Sequence, residues 1–252
     1  MDRGTYALAS AGMANLLKME IANNNLANLS TAGFKKQSLV GEEQTFDQTL
    51  AAAQNINDPY AKGDHDRTPG IVSLETVTDF SPGPVNQTQA PLDVALTNPN
   101  DFFVVQVNGE QLYTRAGNFR LDIQGQVVTP DGYPVQGEGG PIVVTGSPVQ
   151  IQSDGGVIVN GENVGRLGVV RFDDLTALQR DGASRFRLRP GAAAPQQVQS
   201  TMLPGSLEAS NVSAIESMID LITVNRAFEQ YTRAAQAIDG LNQKAIMDIG
   251  RR

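Results

Sequence analysis

Asn23-Asn24-Asn25-Leu26-Ala27-Asn28-Leu29-Ser30-Thr31-Ala32-Gly33-Phe34 is the stretch from which the organisation of this chain can be read. Three consecutive asparagines are costly inside a helix, because their amides compete with the backbone for hydrogen bonds. At about 100° per residue, however, Asn24, Asn28 and Thr31 gather on one face and Ala22, Leu26 and Leu29 on the opposite one, so an amide-and-hydroxyl stripe backs an apolar stripe. Two readings stand. One is a helix whose two specialised faces need two different neighbours; the other is a frayed helix end decorated with polar residues.

Upstream, Tyr6, Ala9, Met13, Leu16, Leu17 and Ile21 recur at spacings of three and four. That pattern predicts an amphipathic helix from Thr5 to about Thr31, a rod of roughly 40 Å. Its expected end is a Schellman cap, with Gly33 in the left-handed C′ position and Phe34, at C″, folding back on Leu29. Lys35 and Lys36 then sit by the negative end of the helix.

Downstream, all 13 prolines fall between Pro59 and Pro204, so two proline-free ends flank a turn-rich middle. The expected segments are an N-terminal helix over 1–34, an extended connector over 35–70, a β domain over 71–206 and a C-terminal helical segment over 207–252. The last opens with two alternative start signals, Asn211 and the Ser213-Ala214-Ile215-Glu216 capping box. Leu221, Val224, Phe228, Tyr231, Ala235 and Ile238 then alternate spacings of three and four, a heptad-like seam that Leu241 and Ala245 extend. A helix from Val212 to Asp248 would span roughly 55 Å. Neither helix can bury its stripe against itself, so the two ends are expected to pack together and to leave apolar surface for other subunits.

The middle reads as β structure. Phe102 to Val107 and Glu110 to Arg115 flank Asn108-Gly109, the strongest short hairpin signal. Further turns are expected at Gln124-Gly125, Asp131-Gly132, Asp154-Gly155-Gly156 and Asn160-Gly161. They separate runs such as Phe119 to Ile123, Ile142 to Val144, Val149 to Ile151 and Arg166 to Phe172. The expected fold is mainly β: an all-β barrel-like or sandwich domain inserted between N- and C-terminal α-helices that pack together as a coiled coil.

Composition narrows the chemistry. The 252 residues, 40% of them hydrophobic, suffice for a substantial core, and a net charge of −8 opposes nucleic-acid binding. With no cysteine and one histidine, disulfides, thiolate metal sites and most imidazole chemistry are excluded. No apolar run is long enough to span a bilayer, so direct membrane insertion is not expected, and Met1 to Leu17, followed by Lys18 and Glu20, makes a poor secretory signal. His65 between Asp64 and Asp66 reads as a solvated loop, Asp173-Asp174 as a turn after a strand, and Gly137-Glu138-Gly139-Gly140 as a turn lacking the ending of a phosphate loop. No catalytic, metal or cofactor-binding residue is expected, nor a small-molecule substrate.

The Asn24 to Lys35 pattern resembles a signature of the bacterial flagellar rod and hook axial proteins. In order along the chain, Pro82-Gly83-Pro84, Pro91-Leu92-Asp93-Val94-Ala95, Tyr113-Thr114-Arg115-Ala116-Gly117-Asn118-Phe119 and Gly139-Gly140-Pro141-Ile142 resemble the central domain of that family. Leu207-Glu208-Ala209-Ser210-Asn211-Val212 and Ile222 to Glu229 resemble its C-terminal module. The Met1-Asp2-Arg3 start and short length resemble the proximal rod subunits most, with distal rod or hook-type subunits the nearest rivals. Asn98-Pro99-Asn100-Asp101 departs from the glycine-rich turn usual there.

The resemblance implies a non-enzymatic structural subunit of the basal-body rod, without cofactor, exported uncleaved through the flagellar type III apparatus to the periplasm. It would assemble head to tail with itself and other rod subunits. Such a rod needs complementary surfaces on different parts of each subunit. The implied interface residues are Asn24, Asn25, Leu26, Asn28, Thr31, Gly33, Phe34, Asn211, Val212, Leu221, Val224, Phe228, Tyr231 and Ile238. Rivals from other classes are a secreted cell-wall hydrolase with a β domain and a soluble adaptor or export chaperone.

Overall fold

The computed structural model describes residues 3–43 and 72–249. Most of the expected connector, with His65 and its flanking aspartates, lies outside the described residues. The chain divides into two compact units, one of Met1–Leu26, Gln37–Val77 and Ala214–Arg252, the other of Ala27–Lys36 and Thr78–Ser213.

The first unit holds the long helices α1 (Arg3–Ala27) and α2 (Ala214–Ile249) and a two-stranded sheet of Gln37–Glu43 with Val72–Thr78. Along α2, Leu221, Val224, Phe228, Tyr231, Ala235 and Ile238 are half-buried, while most residues between them are exposed. The seam positions are thus less exposed than most residues between them. Tyr231 meets α1 at Gly12, where a β-carbon would overlap the phenol ring.

The face of α1 differs from expectation. Met13 and Leu16 are 72% and 51% exposed, and the buried positions include Ala14, Ile21, Ala22 and Asn25. Gly12 and Ala14, on either side of Met13, are both buried, so Met13 is turned away from the packed side of the helix. Ile21, from the expected stripe, is buried; nearer the start of the helix Gly12 and Ala14 take the buried positions, where small size allows the close approach that Met13 and Leu16 would prevent. The helix also ends at Ala27, not Thr31. Beyond it, Thr31 donates its amide to the Asn28 carbonyl at 3.2 Å and its hydroxyl to the Asn28 side chain at 3.1 Å, a local turn that competes with further helix.

The second unit is β-rich. Its largest sheet is antiparallel, with strands in the order Leu178–Arg180, Arg185–Leu188, Glu110–Thr114, Asp101–Val107, Val169–Arg171 and Gln196–Gln197. The central hairpin turns at Asn108-Gly109, whose φ angles of 50° and 88° suit the primed turn that matches strand twist. Asn160-Gly161, at 51° and 89°, makes the same turn between Gly156–Val159 and Glu162–Arg166, in a three-stranded sheet with Val149–Ile151.

Successive side chains along Asp101–Val107 feed two cores. Phe103 and Val105 join Leu112, Val127, Val135 and Val157 on one face; Phe102 and Val104 join Tyr113, Phe172 and Phe186 on the other. The expected barrel does not close: among the described residues the outer strands of the large sheet each pair on one side, and the remaining strands form sheets of two or three. Ile142 to Val144 contributes only a bridge from Val143 to Gln126, Phe119 to Ile123 only the strand Arg120–Leu121, and Arg166 to Phe172 is broken before Val169. At that break Gly168 has no room for a β-carbon beside the Gln136 carbonyl, so the backbone there serves close approach instead of continuous pairing.

Candidate functional site

Within the second unit three distant motifs converge. Gly33-Phe34-Lys35, Arg115-Ala116 and Glu208 build a cluster around one buried carboxylate. Lys35, Arg115 and Glu208 are 1%, 2% and 2% exposed. Lys35 Nζ donates to Glu208 Oε1 at 2.7 Å and to the Ser81 carbonyl at 2.7 Å. Arg115 Nε donates to Glu208 Oε2 at 2.8 Å, and the rest of its guanidinium reaches the carbonyls of Asn98 and Asp101 at 2.6 Å and Leu96 at 3.3 Å. The Gly83 amide adds a further bond to Glu208 Oε1 at 3.1 Å.

A buried ion cluster of this kind avoids an uncompensated charge because nearly every donor has an acceptor. Burial alone would raise the Glu208 carboxyl, but Arg115 and Lys35 outweigh it and hold the group below the ordinary carboxylate range. Burial lowers the Lys35 ammonium from its ordinary value, against the opposing pull of Glu208.

The neighbouring contacts use backbone. Gly33 has φ +66°, and its amide donates to the Glu208 carbonyl at 2.8 Å. This replaces the expected Schellman cap: the Phe34 amide bonds Thr31, and Lys35 is consumed by Glu208 instead of facing a helix end. Phe34 is fully buried under the guanidinium of Arg180, 4.5 Å from its ring centroid, and Arg180 also donates to the Lys35 carbonyl.

Asn211 is not the helix cap that one reading expected; α2 starts at Ala214. Its side-chain oxygen accepts the Lys36 amide at 2.6 Å, and its Nδ2 donates to the carbonyls of Asp79 at 2.9 Å and Ser81 at 3.1 Å. Val212 is buried beside it, its amide bonded to Ser210 Oγ at 3.3 Å.

The remaining anticipated interface residues are dispersed. Asn24 is exposed, Leu26 half-buried, and Asn28 pairs with Thr31. In the first unit Asn25 is 4% exposed and clasps Gln37, accepting its amide at 2.9 Å and donating to its carbonyl at 2.7 Å. Asp174 caps a single 3-10 turn by accepting the Thr176 amide at 2.9 Å, and Asp173 accepts from Gln196, so the two acids do structural work.

Sequence reasoning missed Lys35, Arg115, Arg180 and Glu208. Their one visible signal is that Lys35, Arg115 and Glu208 are lone charges inside motifs otherwise made of small, apolar and uncharged polar residues.

Three family descriptions match the chain: "Flagella basal body rod protein" over residues 6–35, "Flagellar hook protein FlgE/F/G D1 domain" over 98–160, and "Flagellar basal body rod FlgEFG protein C-terminal" over 203–247. Each matched segment supplies one member of the buried cluster: Lys35, Arg115 and Glu208. Similar relatives include the flagellar basal-body rod protein FlgF of Caulobacter vibrioides, 31% identical over 100% of this chain and 99% of the relative. FlgF of Salmonella typhimurium is 32% identical over 95% of both chains, and the rod protein FlgG of Caulobacter vibrioides 31% over 93% of this chain and 95% of its own. This chain belongs to the flagellar basal-body rod protein family.

Proposed function

We propose that the chain is a non-enzymatic structural subunit of the proximal flagellar rod, polymerising through its terminal segments while the β-rich unit stiffens the subunit. The observation that carries this reading is the full-length similarity to FlgF-named rod proteins, with all three matched segments joined in one cluster that holds structure and poises no group for catalysis.

The terminal segments 1–34 and 207–252 are the polymerisation modules, and 71–206 the intervening β domain. Three features support that division. The heptad-like seam of α2 is half-buried, which fits coiled-coil packing against α1 at Gly12 and Tyr231. Opposite the seam, Ile215, Met218, Ile219 and Ile222 are 52–73% exposed, and Met13 and Leu16 expose a second apolar stripe on α1. Two different stripes on one subunit suit the heterologous contacts of a non-closing assembly. Asn24, exposed and polar, belongs to the same contact surface in this reading.

Export through the flagellar type III apparatus and residence in the periplasmic rod complete the proposal. The test is purification of basal bodies from cells in which a tagged copy replaces the chain. Tagged protein should co-purify with the rod, and deletion should abolish motility. Intact, motile basal bodies lacking the chain would refute the reading.

A further inference from the structure

A cleft of about 550 Å³ opens at the margin of the second core of the β-rich unit, and the rod reading makes no use of it. Tyr113, Gln111, Gln136, Gln197, Leu188 and Pro195 line it, together with three glycines that expose backbone. Tyr113 is 5% exposed and fixed edge-on against Phe172, with ring centroids 4.9 Å apart. Its hydroxyl makes no hydrogen bond among the described residues. The ring is buried, but the hydroxyl is not among the buried polar atoms left without a partner, so it is open to solvent and offers a polar handle at the cleft. Gln136 is already oriented, its Nε2 donating to Gln106 Oε1 at 3.1 Å.

The lining chemistry selects the ligand. Among the described residues no lysine, arginine or histidine lines the cleft, and the one carboxylate that does, Glu138, lies 3.6 Å from Arg166, so anionic ligands such as phosphates find no counter-charge in this lining. An extended peptide is disfavoured as well. The adjoining outer strand, Gln196–Gln197, has two residues, too few to template strand addition. What remains is a row of amides, each presenting an acceptor beside two donors, next to a small apolar wall. Hydroxyls on a sugar ring both donate and accept, and the ring's C–H face is apolar.

We propose that this cleft binds a neutral oligosaccharide of pyranose units, with the glutamine amides and the Tyr113 hydroxyl bonding ring hydroxyls and Leu188 and Pro195 covering a C–H face. The site is independent of the assembly reading, since none of its residues lies on the terminal helices.

Titration of the full chain with cellotriose and with N,N′,N″-triacetylchitotriose, followed by amide chemical shifts, tests it. At least one sugar should saturate with a dissociation constant of about 1–10 mM, a weak affinity expected of a shallow polar site, and should shift Gly140 and Gly168. Tyr113→Phe keeps the ring packing and removes the hydroxyl, and Gln197→Ala alters an exposed position; each should weaken binding by about five- to tenfold. Three outcomes overturn the proposal: no saturation by either sugar, unchanged affinity in both variants, or saturation by the neutral peptide acetyl-Gln-Gly-Gln-amide with no response to sugar.

Discussion

Gly33 lies so close to the peptide joining Arg115 to Ala116 that a β-carbon on Gly33 would overlap the Arg115 carbonyl carbon and the Ala116 nitrogen. The backbone at Gly33 is also left-handed, with φ +66°. Both constraints act on one atom, so Gly33→Ala should destabilise the β-rich unit by at least about 3 kcal/mol, strain and overpacking together. Urea unfolding of the full chain measures this; a loss under about 1 kcal/mol would mean the two segments separate readily.

Glu208→Gln keeps the shape of the side chain and leaves two buried cations without their shared counter-charge. Breaking a buried ion pair from one side costs about 3–5 kcal/mol. Adding Lys35→Met removes one of the stranded charges, so the double variant should recover part of that loss. Strict additivity of the two substitutions in denaturant titrations would show that Lys35 and Glu208 are not coupled.

Acid should expose the same cluster. The folded Glu208 carboxyl titrates below its unfolded value of 4.5, so the unfolded chain binds more protons in that interval. Its stabilisation is present above pH 4.5 and is lost as pH falls through the lower, folded value. Melting temperature recorded from pH 6 to pH 3 should drop for the wild type, and the Glu208→Gln variant should show a shallower drop. Lys35 has the opposite origin but the same slope in alkali: its folded value lies below 10.5, so stability rises with pH in the window beneath that figure, and Lys35→Met should flatten the rise.

The Asn25 clasp makes a prediction for the helical unit. Asn25→Leu retains the helix-compatible size but leaves the Gln37 amide and carbonyl without the side chain that bonds them at 2.9 Å and 2.7 Å. The expected cost is about 1–3 kcal/mol. Hydrogen exchange at Gln37 should accelerate in the variant, while exchange at Val105, in the β-rich core, should not. Unaltered protection at Gln37 would show that the clasp contributes nothing.

Much of the local structure is legible in the chain because it rests on local rules. The Asn108-Gly109 and Asn160-Gly161 hairpins need only residues that tolerate positive φ, and the seam from Leu221 to Ile238 needs only a repeating distance. The buried face of α1 is harder to read. Hydrophobicity points to Met13 and Leu16, whereas packing selects Gly12 and Ala14, whose virtue is that they occupy little space. The cluster is harder still: Lys35 and Glu208 are 173 residues apart, and no spacing rule pairs charges over that separation. Phe34 illustrates the same limit, since its partner Arg180 has no sequence relation to it.

The side chain of Asn211 touches Lys36, Asp79 and Ser81; Lys36 is the last residue before the chain leaves the β-rich unit, Asp79 the second after it returns, and Asn211 itself lies two residues before the exit after Ser213. Three of the four crossings into or out of that unit thus lie next to one side chain. A loop that starts and finishes at one place has no prescribed length, as a drawer can be deepened without moving its handle. Residues between Ser81 and Glu208 can be added or removed while the three crossings stay together. The β-rich unit can therefore be lengthened or shortened in engineered chains, provided that Asn211 and the Lys35–Arg115–Glu208 fastening remain.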